Sequence, residues 1–433
     1  MGILLGILVL SFLIIIHELG HFLVAKAFKV KVNEFSLFMG PKLFSFQKGE
    51  TVYSLRLIPL GGYVKMEGEE EESEDERAYN KKPVGVRAAI IAAGPIMNIV
   101  IALVIAFIMM AQTGFNTTQV KTVLPGSVAE NAGIQVGDTL EKYNGKTIYQ
   151  VGDLEVFAYP LTNESVDLQY ERNGEKQKVN ITPNREQDGY MLGFTPKDTA
   201  NIDGSESNVV AEVTDKSPAD EAGLKAGDKI VKLNGTEIKT RRDISKIVDQ
   251  SEKKEITITV DRAGKIQDLK PITPVARKTS EWKAIGVEFE YSKGGFINTL
   301  KASINYTIST SRTIYYSIGW LFTQTVHLSD LSGPVGITSV ISDVVRLSPS
   351  LMDKVINLLS MTAMISINLG LVNLIPFPAL DGSKLVLLLI EKIRKKALNP
   401  EKEAMITMVG FVLLIVLLVY VTYNDVLKKI LHL

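Results

Sequence analysis

The chain reads as a polytopic α-helical membrane protein of four transmembrane helices, with membrane-associated β-hairpins and two inserted copies of a small α+β module. Three observations predict this. Long apolar runs sit toward both ends of the 433 residues, with a polar middle between them, a distribution unlike that of one globular body. The polar middle repeats itself. Between the first two apolar runs lie segments that alternate or run apolar in the manner of strands.

Residues 1–28 form the first span, apolar up to Lys26. It lacks the basic start and small-residue cleavage site of a signal peptide, and its apolar run is too long for one. Inside it stands His17-Glu18-Leu19-Gly20-His21. Such groups are costly in hydrocarbon and point to function there. On a helix, positions four apart share a face, so both imidazoles aim at one point, as HExxH zinc sites require.

Residues 29–87 form a loop in which 35–46 and Thr51–Met66 read as two β-hairpins, with Gly40-Pro41 and Gly61-Gly62 as turn punctuation. They are too apolar for a free loop and are expected to dip into the membrane face. Two readings stand. An edge here can take an extended peptide by strand addition, which makes Tyr53, Leu55, Leu57, Gly61 and Gly62 candidate substrate-binding residues; otherwise the hairpins cap the helices. The acidic run 67–76 reads as a solvated, mobile loop without chemistry.

The second span, 88–113, contains Gly94-Pro95-Ile96-Met97-Asn98. Residues 114–200 and 201–277 carry the repeat. Pro125 to Asp138 matches Ser217 to Asp228, and the register continues through Asn144-Gly145 with Asn234-Gly235 and Ile148 with Ile238. Each copy then gives a helical stretch and two β-rich segments, so one small module occurs twice. Within 278–350, the segment 296–326 is too polar for a clean span and suits an amphipathic helix on the outer membrane surface, ended by Ser332-Gly333-Pro334-Val335-Gly336-Ile337. The third span covers 351–382, a loop 383–405, and the fourth span and tail 406–433.

Lys26, Lys29, Lys31, Lys81, Lys82 and Arg87 flank the first loop, and Lys384, Lys392, Arg394, Lys395, Lys396 and Lys402 the last. The positive-inside rule puts both loops in the cytoplasm and both termini and the modules outside, with Lys428 and Lys429 arguing weakly the other way. Charge is balanced, 48 basic against 48 acidic residues, which gives no sign of a nucleic-acid partner. There is no cysteine, so disulfides and thiolate metal sites are excluded.

A catalytic zinc needs three protein ligands and an open position. The four histidines are His17, His21, His327 and His432. The last lies in the tail and His327 on the outer side. Asp381 is the only acidic residue between Asp353 and Glu391. A lone carboxylate at the end of an apolar span is expensive unless paired or metal-bound. Pro376 and Pro378 break the helix there, which is tolerated where backbone lines a buried or wet cavity. Asp381 is therefore the expected third ligand, and Glu18 the general base. Asn373 and Asn98 each have two readings: holding substrate backbone, or satisfying a freed helix carbonyl.

HELGHFLVAK, IPLGGYVKM, AAGPIMN, SGPVGI and NLIPFPALDG occur in this order around the repeat. The repeat itself resembles PDZ domains of the bacterial periplasmic-protease type. Together they resemble the site-2 proteases, and among them the bacterial regulator-of-sigma-E type with two PDZ domains, over nearly the whole length. The resemblance implies a multi-pass protein of the bacterial cytoplasmic membrane that cleaves transmembrane segments. Implied substrates are single-span anti-sigma factors after a first cut, and remnant signal peptides. It implies one Zn2+ on His17, His21 and Asp381, catalysis by Glu18 and a hold on substrate by Asn373, and the hairpin around Thr51–Met66 matches the family's membrane-associated β region. Gly94, Pro95, Asn98 and Gly382 fall in its motifs as supporting positions. Ser383 stands where many members have a second glycine. Two further readings differ in class: a membrane-anchored PDZ adaptor with a structural metal, in which Glu18 has no use, and a protease of soluble peptides, which has no need of Asp381. The modules either bind chain ends or filter access sterically.

Overall fold

The computed structural model describes residues 2–431 apart from 70, 72, 125–126, 159–163, 183–186, 197–206, 215–216, 252, 280–284, 329–330, 349 and 397–399. His432 lies outside the described residues. Two compact units result: 1–118, 147–160 and 289–433 make a helical unit, and 119–146 and 161–288 a module unit.

The helical unit contains α1 (Gly2–Ala27), β1 (Val32–Lys48), β2 (Thr51–Met66), α2 (Val84–Thr113), α3 (Phe296–Phe322), α4 (Pro334–Leu347), α5 (Leu351–Asn373), α6 (Asp381–Arg394) and α7 (Pro400–Leu431). Among the described residues, α1, α2, α5 and α7 are long and apolar enough to cross a membrane. Lipid is as apolar as leucine, so such helices associate by close approach of small residues. Gly20 lets α1 touch α2: a Cβ there would lie 2.4 Å from the Ala93 carbonyl oxygen. Gly370 of α5 does the same 2.7 Å from the carbonyl of Pro95. Both crossings fall at one level of α2, which sets HELGH beside Gly94-Pro95.

Helix α3 departs from the expected surface-lying helix. Tyr306 and Ile314 pack on the buried cluster of Ala102, Ile105, Ala363, Ile367 and Leu371 from α2 and α5. Thr299, Ser303, Thr307 and Ser309, which make the sequence look amphipathic, are buried. Ser303 and Thr307 donate to the carbonyls of Leu300 and Ser303, so their hydroxyls are satisfied within the helix. At the start of α4, SGPVGI does more than end a helix. Asp425 of α7 accepts N–H bonds from Gly333 (3.0 Å) and Gly336 (2.7 Å), where a carboxylate suits the helix N-terminus.

Strands β1 and β2 form one sheet of four segments, where two separate hairpins were expected. Phe35 pairs with both Val64 and Tyr53, and Leu37 with both Gly62 and Leu55, while Phe44 pairs with Leu55 and Lys48 with Thr51. Residues 32–37 are therefore central. Phe38, Gly40 and Gly61 adopt positive φ (68°, 84° and 76°), which folds each long strand back on itself. Met39, Leu43, Phe44, Phe46, Leu57 and Ile58 leave an exposed apolar face suited to lipid.

Several carboxylates of the acidic run, expected to be solvated, are paired among the described residues. Glu67 accepts from Asn33 (2.9 Å) and pairs with Lys31, which also pairs with Asp75 at 3.2 Å. Glu69 pairs with Lys384 at 3.1 Å. The run supplies counter-charges to lysines beside the sheet and the site. The third span also differs from the expectation of 351–382. It ends at Asn373, and Asp381 opens a new helix, α6, where a loop 383–405 was expected. Pro376 and Pro378 stop the helix, and Asp381 at the start of α6 suits the positive end of its dipole.

In the module unit the two copies repeat one lock. Arg172 forks onto Asp138 through Nε and Nη2, both at 2.7 Å, and onto the Gly133 carbonyl. Arg262 does the same to Asp228 and Gly223. The repeat does not, however, bound the modules. Leu192 belongs to the buried core of the second, with Val210, Ile230, Leu233 and Ile258, and the Ala219 N–H donates to it. In the first, Ala129 and Leu124 donate to Ile285 and Gly286. The division 114–200 and 201–277 thus cuts through the second module and leaves out the closing strand of the first. Val287–Ser292 joins the sheet of the first, and Phe194–Pro196 pairs with Val210–Val213 of the second, so each module takes in a strand from outside its own repeat.

Asp138 and Asp228 are each about 1% exposed. Burial pushes their carboxyls up, but the arginine fork and a backbone N–H outweigh it and hold both below the usual range. A depressed folded pKa stabilises above the unfolded value of about 3.9 and is lost as pH falls through the folded pKa. Pepsin should therefore cut the modules of the full chain increasingly as pH is lowered past about 4. Arg262→Met, which strands a buried carboxylate, should destabilise the second module by about 3 kcal/mol at neutral pH, read by hydrogen exchange of Ile258–Arg262.

Candidate active site

Helix α1 supplies three groups. His17 is buried, and Glu18 and His21 are half-buried on neighbouring positions. Asp381 comes from the first turn of α6. Its approach depends on Gly382: a Cβ there would lie 2.3 Å from the carbonyl oxygens of both Leu374 and Ile375. Ser383, the residue that departs from the family pattern, donates its hydroxyl to Leu380 at 2.8 Å and fits the turn.

The donor atoms converge. His17 Nε2 is 3.0 Å from Asp381 Oδ2 and 3.2 Å from His21 Nε2, and His21 Nε2 is 3.5 Å from Asp381 Oδ2. Ligands at zinc-like distances on a tetrahedron stand about 3.3 Å apart, so the triangle fits one such ion with a fourth position open. Space for it is preserved by Gly94, whose Cβ would sit 2.4 Å from His21 Nε2. His21 Nδ1 lies 2.8 Å from the Ile90 carbonyl. A carbonyl only accepts, so Nδ1 carries the proton and Nε2 is free to ligate. Among the described residues this is the one group of His, Asp or Glu donors close enough to share a metal ion.

The expected substrate-binding positions separate. Gly61 and Gly62 are buried, and a Cβ on Gly62 would lie 3.7 Å from Glu18 Cγ, so β2 runs against that carboxylate. Tyr53 stacks on Phe46 (5.3 Å between centroids) and meets Phe22 edge-on (6.0 Å), one residue after His21. Leu55 and Leu57 are exposed. Asn373 ends α5, half-buried. Pro95 contributes its carbonyl to the α5 crossing, and Asn98 is fully buried beside His17. The Ile90 carbonyl escaped sequence reading, because a backbone acceptor leaves no mark on residue identity. The Lys384–Glu69 pair had a signal, a lysine three residues after Asp381.

A carboxylate beside three converging donors that could hold a metal ion, on helices long enough to cross a membrane, is the arrangement of a membrane metallopeptidase. The chain belongs to peptidase family M50, whose profile matches residues 5–417. It is 31% identical over 441 residues to the regulator of sigma-W protease RasP of Bacillus subtilis, covering 97% of each chain. It is 32% identical over 447 residues to the zinc metalloprotease RasP of Bacillus licheniformis, again covering 97% of each. Among solved structures, the HtrA3 PDZ domain bound to a phage-derived ligand matches 20% of this chain and 86% of its own, with 22% identity and a TM-score of 0.18.

Proposed function

We propose that the chain is a zinc metalloendopeptidase that hydrolyses peptide bonds within transmembrane segments of single-span proteins. The observation that carries this reading is the convergence of His17, His21 and Asp381 next to Glu18, on a helix apolar enough to lie in a bilayer. Zinc, when bound by these three residues, supplies Lewis acidity at the scissile carbonyl. Glu18 accepts a proton from the attacking water and delivers it to the leaving nitrogen. The new C–O bond and the broken C–N bond leave a carboxylate and an amine.

Substrate must reach Glu18 unwound, since a helical peptide bond is shielded by its own hydrogen bonds. The segment 62–66 pairs with 32–37 on one side only among the described residues, and it lies against Glu18. An extended chain adding to its free edge brings a backbone carbonyl to the site. Asn373 offers a further amide to that backbone. The lysine and arginine pattern supports an active site toward the cytoplasm, with both termini and the modules outside. The modules read as PDZ domains that limit what arrives. RasP is named for control of a sigma factor, which supports trimmed anti-sigma factors as substrates, with remnant signal peptides as a second class.

The test uses the full chain in detergent, a single-span substrate and a soluble peptide of the same cleavage sequence. Wild type should hold one zinc and cut only the single-span substrate, and Asp381→Ala should lose at least about 90% of the zinc, as loss of one of three ligands demands. No zinc in wild type would leave an adaptor as the better reading. Equal cutting of both substrates would make this a surface protease.

A further inference from the structure

Helix α2 meets both histidines with one face. Ile90, Gly94 and Asn98 are spaced by four and stack along it. Ile90 accepts from His21 Nδ1, and Gly94 leaves room for both imidazoles. Asn98 completes the face. It is fully buried, and its side-chain amide lies 3.2 Å from His17 Nδ1. The atom in contact is placed as Nδ2, while the buried Oδ1 has no partner. Ser366 bonds the Asn98 backbone carbonyl at 2.7 Å, so it holds the residue without engaging the amide.

The two ends of an amide exchange by a half-turn about χ2 and are assigned from their hydrogen bonds. With Nδ2 toward His17, Nδ1 must accept, so the ring proton sits on Nε2 and points at Asp381. With Oδ1 toward His17, Nδ1–H donates and Nε2 presents a lone pair to the metal position. Only the second arrangement lets His17 ligate through the atom that faces His21 and Asp381.

We propose that Asn98 is the positioning residue for His17: its side-chain carbonyl accepts the Nδ1–H and so fixes the ring tautomer that offers Nε2 to zinc. This rests on the reading of His17 as a ligand. The two histidines are thus held by one helix in two ways. His21 is fixed by a backbone carbonyl that no side-chain change removes, and His17 by an amide that one substitution removes. Such outer partners set both ring orientation and ligand basicity.

Two substitutions separate positioning from packing. Asn98→Leu keeps the volume and removes the acceptor; Asn98→Asp keeps the acceptor. Zinc affinity of the full chain in detergent, measured by chelator competition, should fall about 10–100-fold in the leucine variant and stay close to wild type in the aspartate variant. A packing role gives the opposite order, because leucine suits a buried site and a carboxylate does not. Leucine binding zinc like wild type, or aspartate as weak as leucine, overturns the proposal. Should the leucine variant fail to fold, wild type decides through 15N-histidine NMR, with four histidines to assign. In the zinc-free chain neutral His17 must already carry its proton on Nδ1, and a proton on Nε2 there refutes the idea. Absence of zinc in wild type, or full zinc affinity in His17→Ala, marks a failure of the ligand reading instead.

Discussion

Glu18→Gln lowers peptide hydrolysis by about 10²–10⁴-fold and leaves one zinc per chain. Gln matches the shape of Glu and accepts no proton, so the metal triangle of His17, His21 and Asp381 is untouched while the proton carrier is lost. Gly62 lies against Glu18 Cγ, and the isosteric amide preserves that packing. The measurement is single-turnover cleavage of a single-span substrate, with zinc content determined on the same sample. Unchanged cleavage would remove Glu18 from the mechanism. Loss of zinc together with activity would make its role structural.

Gly94→Ala should empty the metal site while the helix gains. Alanine is favoured over glycine in a helix by about 1 kcal/mol, so the substitution alone does not threaten α2. Its methyl group would nevertheless sit 2.4 Å from His21 Nε2 and 2.8 Å from His17 Nε2, inside the space both imidazoles need. Both are held in place, His21 by Ile90 and His17 by Asn98, so neither can yield without breaking a buried hydrogen bond. Zinc affinity should fall by more than about 100-fold, beyond the range of a lost outer partner. Thermal melting of the metal-free chain should not rise, because relieving the clash costs a buried hydrogen bond that offsets the roughly 1 kcal/mol the helix gains. A variant that binds zinc normally would show that the rings relax more freely than the packing implies.

The candidate ligands were legible because they break the rules of their surroundings. Two histidines four apart in an apolar run, and one carboxylate in a long neutral stretch, are anomalies a sequence displays openly. What supports them was less visible. Gly94 and Asn98 could be marked only as supporting positions, since their roles depend on which atoms lie across the helix crossing. The α1, α2, α5 and α7 spans follow from length and apolarity. Helix α3 departs from the sequence expectation because serines and threonines that bond their own helix look, in sequence, like residues facing water. The sequence shows two hairpins and not a four-segment sheet because positive φ at Phe38 is a choice of the chain and not of the residue type. The arginine forks could have been found, since Arg172 and Arg262 keep the offset that relates Asp138 to Asp228.

The borrowed closing strands carry a consequence for the order of assembly. Leu124 and Ala129 wait for Gly286 and Ile285, which reach them only after roughly 160 more residues are made, a long loop to close. The second module lies wholly within that interval. Once it folds, the part of the interval between Leu192 and Ile272 becomes a compact body, which shortens the loop left to close. The second module is therefore expected to finish folding before the first. Damage to the later module, such as Arg262→Met, would delay completion of the earlier one without touching any residue in it.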